Sequence, residues 1–311
     1  MIRTFLLSCC TVAAFAASAP SGMNLFETSQ AANPHDVIIQ ALPKAGFSIS
    51  DDRDMNGPYL KQFGSTSYDI YHTITIYDLK TVHDVLKTAP NFGAFVPYTL
   101  LISKPKGAKE TTFGFISTTT IATALGIDDK KALHHLSQSE KNLVKGLKNI
   151  DPSVKIVKPT FSSLLQKDPE LFFTATYKLT PKDNAISKKE EIQTELESAL
   201  EVAGFKIANI TKLTDEFEKA KLDDAGYEFY ETYSICKLGA IYSASKVRPE
   251  AGIFAPCSVF FYKKKGEDRI VMGMPTTKNW VKVANITDPE IIATLKSAES
   301  IVIDSLKSIT E

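Results

Sequence analysis

The sequence predicts an α+β protein of two similar lobes, each a mostly antiparallel sheet with helices on one face. Three observations lead to this prediction. The second half of the chain repeats the pattern of the first, strand-length runs of β-branched and aromatic residues alternate with amphipathic helical stretches, and 311 residues suffice for about two domains. Helices and strands mixed in this way within one repeat are typical of a sheet covered by helices.

The first nineteen residues, 1–19, have the features of a secretory signal peptide. An apolar stretch, 5–17, follows a basic residue, and Ala17-Ser18-Ala19 has the small-x-small form of a cleavage site, with Ala14-Phe15-Ala16 as a second candidate. The segment Leu6-Leu7-Ser8-Cys9 also resembles a lipobox. We therefore expect a periplasmic or secreted protein, with a lipoprotein anchored through Cys9 as the alternative.

The remaining sequence predicts two copies of one domain, residues 23–150 and 170–311, joined by a linker at 151–169. The copies coincide at Pro, Gly, Phe and Pro, without a gap, in the segments Pro90–Pro97 and Pro249–Pro256. Their offset is 159 residues (256 minus 97), and it falls to 158 upstream of a one-residue gap. Coincidence would not hold one register over so many Gly and Pro positions, so we infer an ancestral duplication.

Each copy is predicted to contain a strand, a helix, four further strands with a small helix inserted, and a long final helix. The first helices begin at the cap Asn33-Pro34 and at the capping box Ser187–Glu190, and Pro43 should kink or shorten the earlier one. The final helices follow the apolar stripes 133–150 and 291–309. Short helices are expected at 82–88 and 240–247.

The strands are predicted from runs of β-branched and aromatic residues that end near Gly or Pro. In the first copy they are 25–28, 68–77, 98–103 and 112–117, and the counterpart of the strand 205–210 is expected from the repeat without an assigned range. In the second copy they are 171–179, 205–210, 227–236, 257–262 and 269–274.

The second copy carries a recognisable sequence signature. Tyr233-Ser234-Ile235-Cys236, followed after a short helix by Gly252–Tyr262, resembles the signature of the DUF302 family. The chain departs from it at Lys237-Leu238, where that family usually shows Asn-Pro. The resemblance implies small TBP-like α+β domains without an established activity. It also implies that the domains pair, here within one chain.

Cys236 and Cys257 are the only cysteines after the predicted signal peptide, and their counterparts in the first copy are Tyr77 and Tyr98. Because both positions change together, we expect them to touch. In an oxidising compartment this favours a structural disulfide, contributing ~3 kcal/mol through loop entropy. The alternative is a redox-active pair, although the spacing is not C-x-x-C.

The aromatic residues suggest a pocket between the copies. Its candidates are Tyr71, Tyr77, Tyr98 and Tyr230, and the alternative is that such residues form the core and the interface of the pair. The five histidines show no local metal-ligand spacing, so we expect no metal and no cofactor. Carboxylates on the strand faces, such as Glu231, are a weaker candidate for acid–base chemistry.

The charge of the chain excludes one class of partner. With 36 basic and 36 acidic residues, the chain lacks the excess of Lys and Arg that displaces counterions from a nucleic acid. No segment after the signal peptide approaches the ~20 apolar residues of a membrane span, so no transmembrane segment is expected in the mature protein.

These features together predict an exported protein of unknown activity that is not expected to be an enzyme. It would be an intramolecular pseudo-dimer of DUF302-like domains that binds an unknown small molecule or envelope protein. The alternative is a thiol–disulfide redox protein that uses Cys236 and Cys257. A hydrolase or isomerase with a carboxylate in the groove between the copies is the third hypothesis.

Overall fold

A computed structural model describes residues 21–29, 33–159 and 161–310. It contains two antiparallel sheets with flanking helices, so the predicted α+β class is confirmed. The predicted signal peptide, residues 1–19, lies outside the described residues. None of the helices in the described ranges combines the length and apolar character that a bilayer crossing requires.

The first lobe is built on a six-stranded sheet. Its strands are β1 (Met23–Thr28), β2 (Ser48–Asp54), β3 (Tyr68–Tyr77), β4 (Tyr98–Pro105), β5 (Thr111–Ile116) and β6 (Lys155–Val157). Its helices are α1 (His35–Lys44), α2 (Asn56–Phe63), α3 (Leu79–Leu86), α4 (Thr118–Leu125) and α5 (Lys130–Lys148), with a 3-10 helix at Pro90–Phe95.

The second lobe is built on a five-stranded sheet. Its strands are β7 (Phe172–Lys178), β8 (Lys206–Lys212), β9 (Tyr227–Cys236), β10 (Cys257–Lys264) and β11 (Arg269–Pro275). Its helices are α6 (Ala185–Val202), α7 (Leu213–Lys219), α8 (Leu238–Val247), α9 (Lys278–Val283) and α10 (Pro289–Thr310), with 3-10 helices at Pro169–Leu171 and Pro249–Phe254.

The two sheets have the same strand order once the repeat is taken into account. The first runs β2-β3-β4-β5-β1 and the second β8-β9-β10-β11-β7, each strand antiparallel to its neighbours. The first sheet gains β6 beside β1, and this strand comes from the segment 151–169 that the sequence predicts as a linker. Both lobes also contain a short helix between their second and third strands, α2 and α7, which sequence analysis missed.

The cap of α6 differs from the prediction. Asn184 caps the helix by accepting hydrogen bonds from the backbone N–H groups of Ile186 and Ser187, both at 3.0 Å. Asparagine is a strong N-cap residue, so the helix begins upstream of the predicted capping box and Ser187 lies in its first turn. The partner helix α1 ends one residue after Pro43 and has 10 residues.

Helices cover one face of each sheet. In the first lobe, α1 and α5 enclose a buried cluster with the sheet; its sheet residues include Ile74, Leu100 and Ile102. The opposite faces of the two sheets pack on the other lobe, and a second buried cluster runs continuously through residues of both lobes. The two lobes therefore pack directly against each other and are not connected by a flexible linker alone.

Tyrosine hydroxyls join the lobes in equivalent pairs. Tyr71 donates to the Pro249 carbonyl at 2.9 Å, and its counterpart Tyr230 donates to the Pro90 carbonyl at 2.6 Å. In a second set of contacts, Tyr68 donates to the Ser245 carbonyl and Tyr227 donates to the Leu86 carbonyl at 2.7 Å. In both sets, each donor and each acceptor is related to its counterpart by the 159-residue offset. Reciprocal contacts of this kind define a two-fold, isologous interface.

The duplicated prolines occupy equivalent places in the two lobes. Pro97 directly precedes β4, and Pro256 directly precedes β10, each after a cis peptide bond. Beside these prolines, two side-chain hydroxyls donate hydrogen bonds to the opposite lobe. Thr99 donates to the Ala255 carbonyl at 2.7 Å, and Ser258 donates to the Pro97 carbonyl at 3.3 Å. The signature segment of each lobe is thus part of the interface.

Candidate ligand cleft between the lobes

A cavity of about 720 Å³ lies between the two lobes. Ligand sites occur preferentially at such domain interfaces. The first lobe contributes residues of β2, β3 and α2, and the second contributes residues of β8, α8 and the segment before β10. The lining residues are Asp51, Arg53, Met55, Gly57, Pro58, Lys61, Gln62, Thr73, Gly204, Lys206, Ala208, Cys236, Leu238, Ile241, Ala255 and Pro256.

The edge strands of the two sheets meet at this cleft. Arg53 of β2 is 3.5 Å from the Ala208 carbonyl of β8 and 3.2 Å from the Asp51 carboxylate. Side chains alternate along a strand, so Asp51 and Arg53 lie on the same face of β2. The alternation of side chains along β2 therefore places the Asp51 carboxylate and the Arg53 guanidinium together on the cleft side of the strand.

Three cations line the cleft against one carboxylate. Arg53, Lys61 and Lys206 carry positive charge, and Asp51 is already paired with Arg53. The apolar part of the lining includes Met55, Leu238, Ile241 and Pro256. A cleft that is basic at one part and apolar at another suits a small molecule with an anionic group and an apolar body.

The cleft depends on a difference between the lobes. Cys236, the last residue of β9, lines it, whereas the counterpart Tyr77 is a buried aromatic side chain. Burial, and then the carboxylate of Glu216 on α7, raise the pKa of Tyr77 to about 12. The ring of Tyr77 therefore occupies space on its own side of the interface. At the equivalent position on the other side, the small side chain of Cys236 leaves that space open, and this space is part of the cleft.

Cys236 and Cys257 are both free thiols, so the structure does not contain the disulfide that the sequence favours. Strand pairing places Cys257 directly opposite Ile235, so Cys236, one residue further along β9, faces the other side of the sheet. Cys257 lines a small cavity beside α10 with Leu295, whereas Cys236 lines the cleft between the lobes. The structure therefore has no disulfide here, and the two cysteines lie in different environments.

Both thiols should react slowly. Burial raises the pKa of Cys236 and of Cys257 to about 12. Because only the thiolate is nucleophilic, native alkylation rates should keep rising from about pH 9 towards pH 12, whereas those of an unfolded chain should be half-maximal at pH ~8.5 and level off about one to two pH units above that. The unfolded chain loses these protons first, so the two thiols also lower the stability of the fold as the pH rises through this range.

Alkylation followed by intact-mass measurement checks both statements. The unreduced, denatured mature chain, without residues 1–19, should gain two labels, at Cys236 and Cys257. Labels that appear only after reduction would contradict the free-thiol assignment, and fast labelling of the native chain at neutral pH would contradict the raised pKa values.

The four predicted pocket tyrosines do not line the cleft. Tyr71 and Tyr230 are fully buried, and their hydroxyls bind backbone of the opposite lobe. Tyr98 faces the helices and packs edge-on to Phe47 at 6.3 Å, and Tyr77 is buried at the interface side. The core-and-interface alternative therefore describes these side chains. The cations of the cleft, Arg53, Lys61 and Lys206, belong to no sequence motif, so the sequence alone did not indicate them as site residues.

Comparison with known proteins connects the second lobe to a family. The sequence model of "Domain of unknown function DUF302" matches residues 185–305, as the resemblance in the second copy predicts. The solved structure of an uncharacterized conserved DUF302 protein from Bacillus stearothermophilus shares 18% identity with the chain, with a TM-score of 0.37. That match covers 45% of this chain and 98% of the other. No curated protein matches significantly. The similarity to the DUF302 family thus covers residues 185–305, which belong to the second lobe.

Proposed function

We propose that the chain is an exported binding protein that holds a small anionic, partly apolar molecule in the cleft between its lobes. The observation that carries this proposal is the joint lining of the cleft, in which Arg53 and Lys61 of one lobe face Lys206 and the apolar side chains of the other. A ligand that contacts both lobes gains charge complementarity and apolar burial at once. The pairing of two DUF302-like units within one chain creates this shared surface.

Export is part of the proposal and rests on the sequence. The basic start, the apolar stretch 5–17 and the small residues at 17–19 support secretion to the periplasm or beyond. Anchoring through Cys9 is the alternative route to the same cell envelope. In either case the ligand would be a molecule of the envelope or the surroundings.

The thiol-redox alternative has less support. Reversible disulfide chemistry requires an accessible thiolate and a second sulfur within bonding reach. Cys236 and Cys257 face opposite sides of the sheet, and burial raises the pKa of both. A binding role for the cleft needs neither thiolate.

The test uses the anionic, aromatic probe 8-anilinonaphthalene-1-sulfonate and the mature chain. We expect saturable binding by the wild type. Cys236→Tyr should weaken it by at least ~10-fold, or about 1.4 kcal/mol, because the ring takes up space in the cleft that the probe would occupy. Cys236→Ser should retain binding, because the space rather than the sulfur is required.

Charge variants distinguish binding of the anionic probe in the cleft from its nonspecific attraction to surface lysines. Lys206→Glu should weaken probe binding, whereas Lys109→Glu, an exposed lysine outside the cleft, should not. Near-UV circular dichroism checks that each variant keeps its packing. Equal probe affinity in wild type, Cys236→Tyr and Lys206→Glu would refute the proposed site, and loss of binding in Cys236→Ser would favour thiol chemistry.

A further inference from the structure

A cluster of potential metal ligands lies in the first lobe, on the face of β2 and β3 opposite to the cleft. His35 begins α1, Asp52 belongs to β2 and His72 belongs to β3. One ligand atom from each lies within 4.8 Å of the other two. Local spacing along the sequence gave no sign of this cluster, because the three residues meet only when the helix packs on the edge of the sheet.

The two imidazoles converge on a single carboxylate. Nε2 of His35 is 3.0 Å from both oxygens of Asp52, and Nε2 of His72 contacts the same carboxylate. The ring centroids of the two histidines are 4.2 Å apart. In a tetrahedral zinc site with bonds of ~2.0–2.1 Å, neighbouring ligand atoms are ~3.3 Å apart. Small side-chain shifts would therefore bring all three ligand atoms around one ion.

A further carboxylate orients one of the ligands. Nδ1 of His35 is 2.9 Å from Asp36, and an N–H donated to that carboxylate fixes the ring so that Nε2 is the atom directed at Asp52 and His72. Histidines that bind metals usually donate their second N–H to a carboxylate or carbonyl in this way. Asp36 is therefore a positioning residue rather than a ligand.

The second lobe has different residues at the positions equivalent to His35 and His72. By the repeat offsets, His35 corresponds to Gln193 and His72 to Glu231. Glu231 accepts hydrogen bonds there from the buried Lys189 and, at 2.8 Å, from Gln193. In that network the ammonium group of Lys189 and the carboxylate of Glu231 pair with each other. The first lobe instead brings two imidazoles and one carboxylate together.

We propose that His35, Asp52 and His72 form a binding site for Zn²⁺. Two imidazole nitrogens and one carboxylate oxygen match the ligand preference of this ion and leave a fourth position for water or an external ligand. The side chains are 19%, 34% and 15% exposed, so the ion can reach the site from solvent. Binding releases any proton carried by the two Nε2 atoms and involves no redox step. This inference is independent of the cleft.

The test uses the untagged mature chain, stripped of metal with a chelator, in a calorimetric titration with Zn²⁺. We expect one equivalent to bind. His72→Gln should weaken binding by at least ~100-fold, since it removes a ligand, and Asp36→Asn by ~10-fold, since it removes only the orientation of His35. His134→Gln, in α5 and outside the cluster, should bind as the wild type does.

Two further measurements keep the outcome clear. Co²⁺ in place of Zn²⁺ should give the visible absorption of a tetrahedral site in the wild type and lose it in His72→Gln. Thermal unfolding in the presence of chelator shows whether the variants fold. Failure of the wild type to bind Zn²⁺, or unchanged affinity in His35→Gln and His72→Gln, would overturn the proposal.

Discussion

Gly93→Ala should destabilise the protein by about 2–3 kcal/mol, one of the largest effects expected from a single methyl group in this chain. A Cβ at Gly93 would lie 2.3 Å from Tyr230 Oη and 2.4 Å from the ring carbon Cε1. Neither the ring nor the glycine can move away, because Tyr230 is fully buried and its hydroxyl bridges the Pro90 carbonyl and the Gly93 N–H. Urea unfolding measures the loss.

The repeat supplies a second variant and a control for this prediction. Gly252→Ala should behave like Gly93→Ala, because its Cβ would lie 2.3 Å from Tyr71 Oη. Gly239→Ala in α8 meets nothing within 4 Å and should be neutral or stabilising by up to ~1 kcal/mol. A Tyr230→Leu background should remove most of the cost of Gly93→Ala. Equal stability of Gly93→Ala and Gly239→Ala would contradict the close approach of the lobes.

Glu231→Ala should cost about 3–5 kcal/mol of unfolding free energy, because it leaves the ammonium group of Lys189 buried without its partner. The two side chains are 5% and 9% exposed, and Gln193 completes the network at 2.8 Å. Chemical denaturation of the single variant at neutral pH gives the value.

A double-mutant cycle separates the buried charge from simple packing. Lys189→Met should also be destabilising, whereas Lys189→Met with Glu231→Leu should cost less than either single change, because no buried charge remains. Glu216→Ala breaks a pair with the exposed Lys219 and should cost less than ~1 kcal/mol. Additive single effects in the cycle would contradict the buried ion pair.

Much of the fold was predictable because the signals are local and occur twice. The predicted strands at 68–77 and 227–236 coincide with β3 and β9, since long β-branched and aromatic runs leave little choice of structure. The repeated Gly and Pro positions fixed the register between the copies. The start of α6 differs from the prediction because Asn184, also a strong N-cap residue, precedes the predicted capping box.

The candidate sites were less predictable because they depend on register and on distant segments. A shift of one residue between β9 and β10 decides whether Cys236 and Cys257 share a face, and no residue pattern reports it. The cleft brings Arg53 and Lys206 together from different lobes. His35 and His72 likewise meet only through the packing of α1 on the sheet.

Hydrogen exchange at the amide of Gly93 tests most directly whether the lobes form one paired unit. This N–H donates to Tyr230 Oη of the opposite lobe at 3.1 Å. If the lobes stay paired, the amide exchanges only when the protein unfolds globally, as slowly as the central amides of β4 and β10. Rapid exchange at Gly93 while those strand amides remain protected would show that the lobes separate, and would contradict both the paired architecture and the shared cleft.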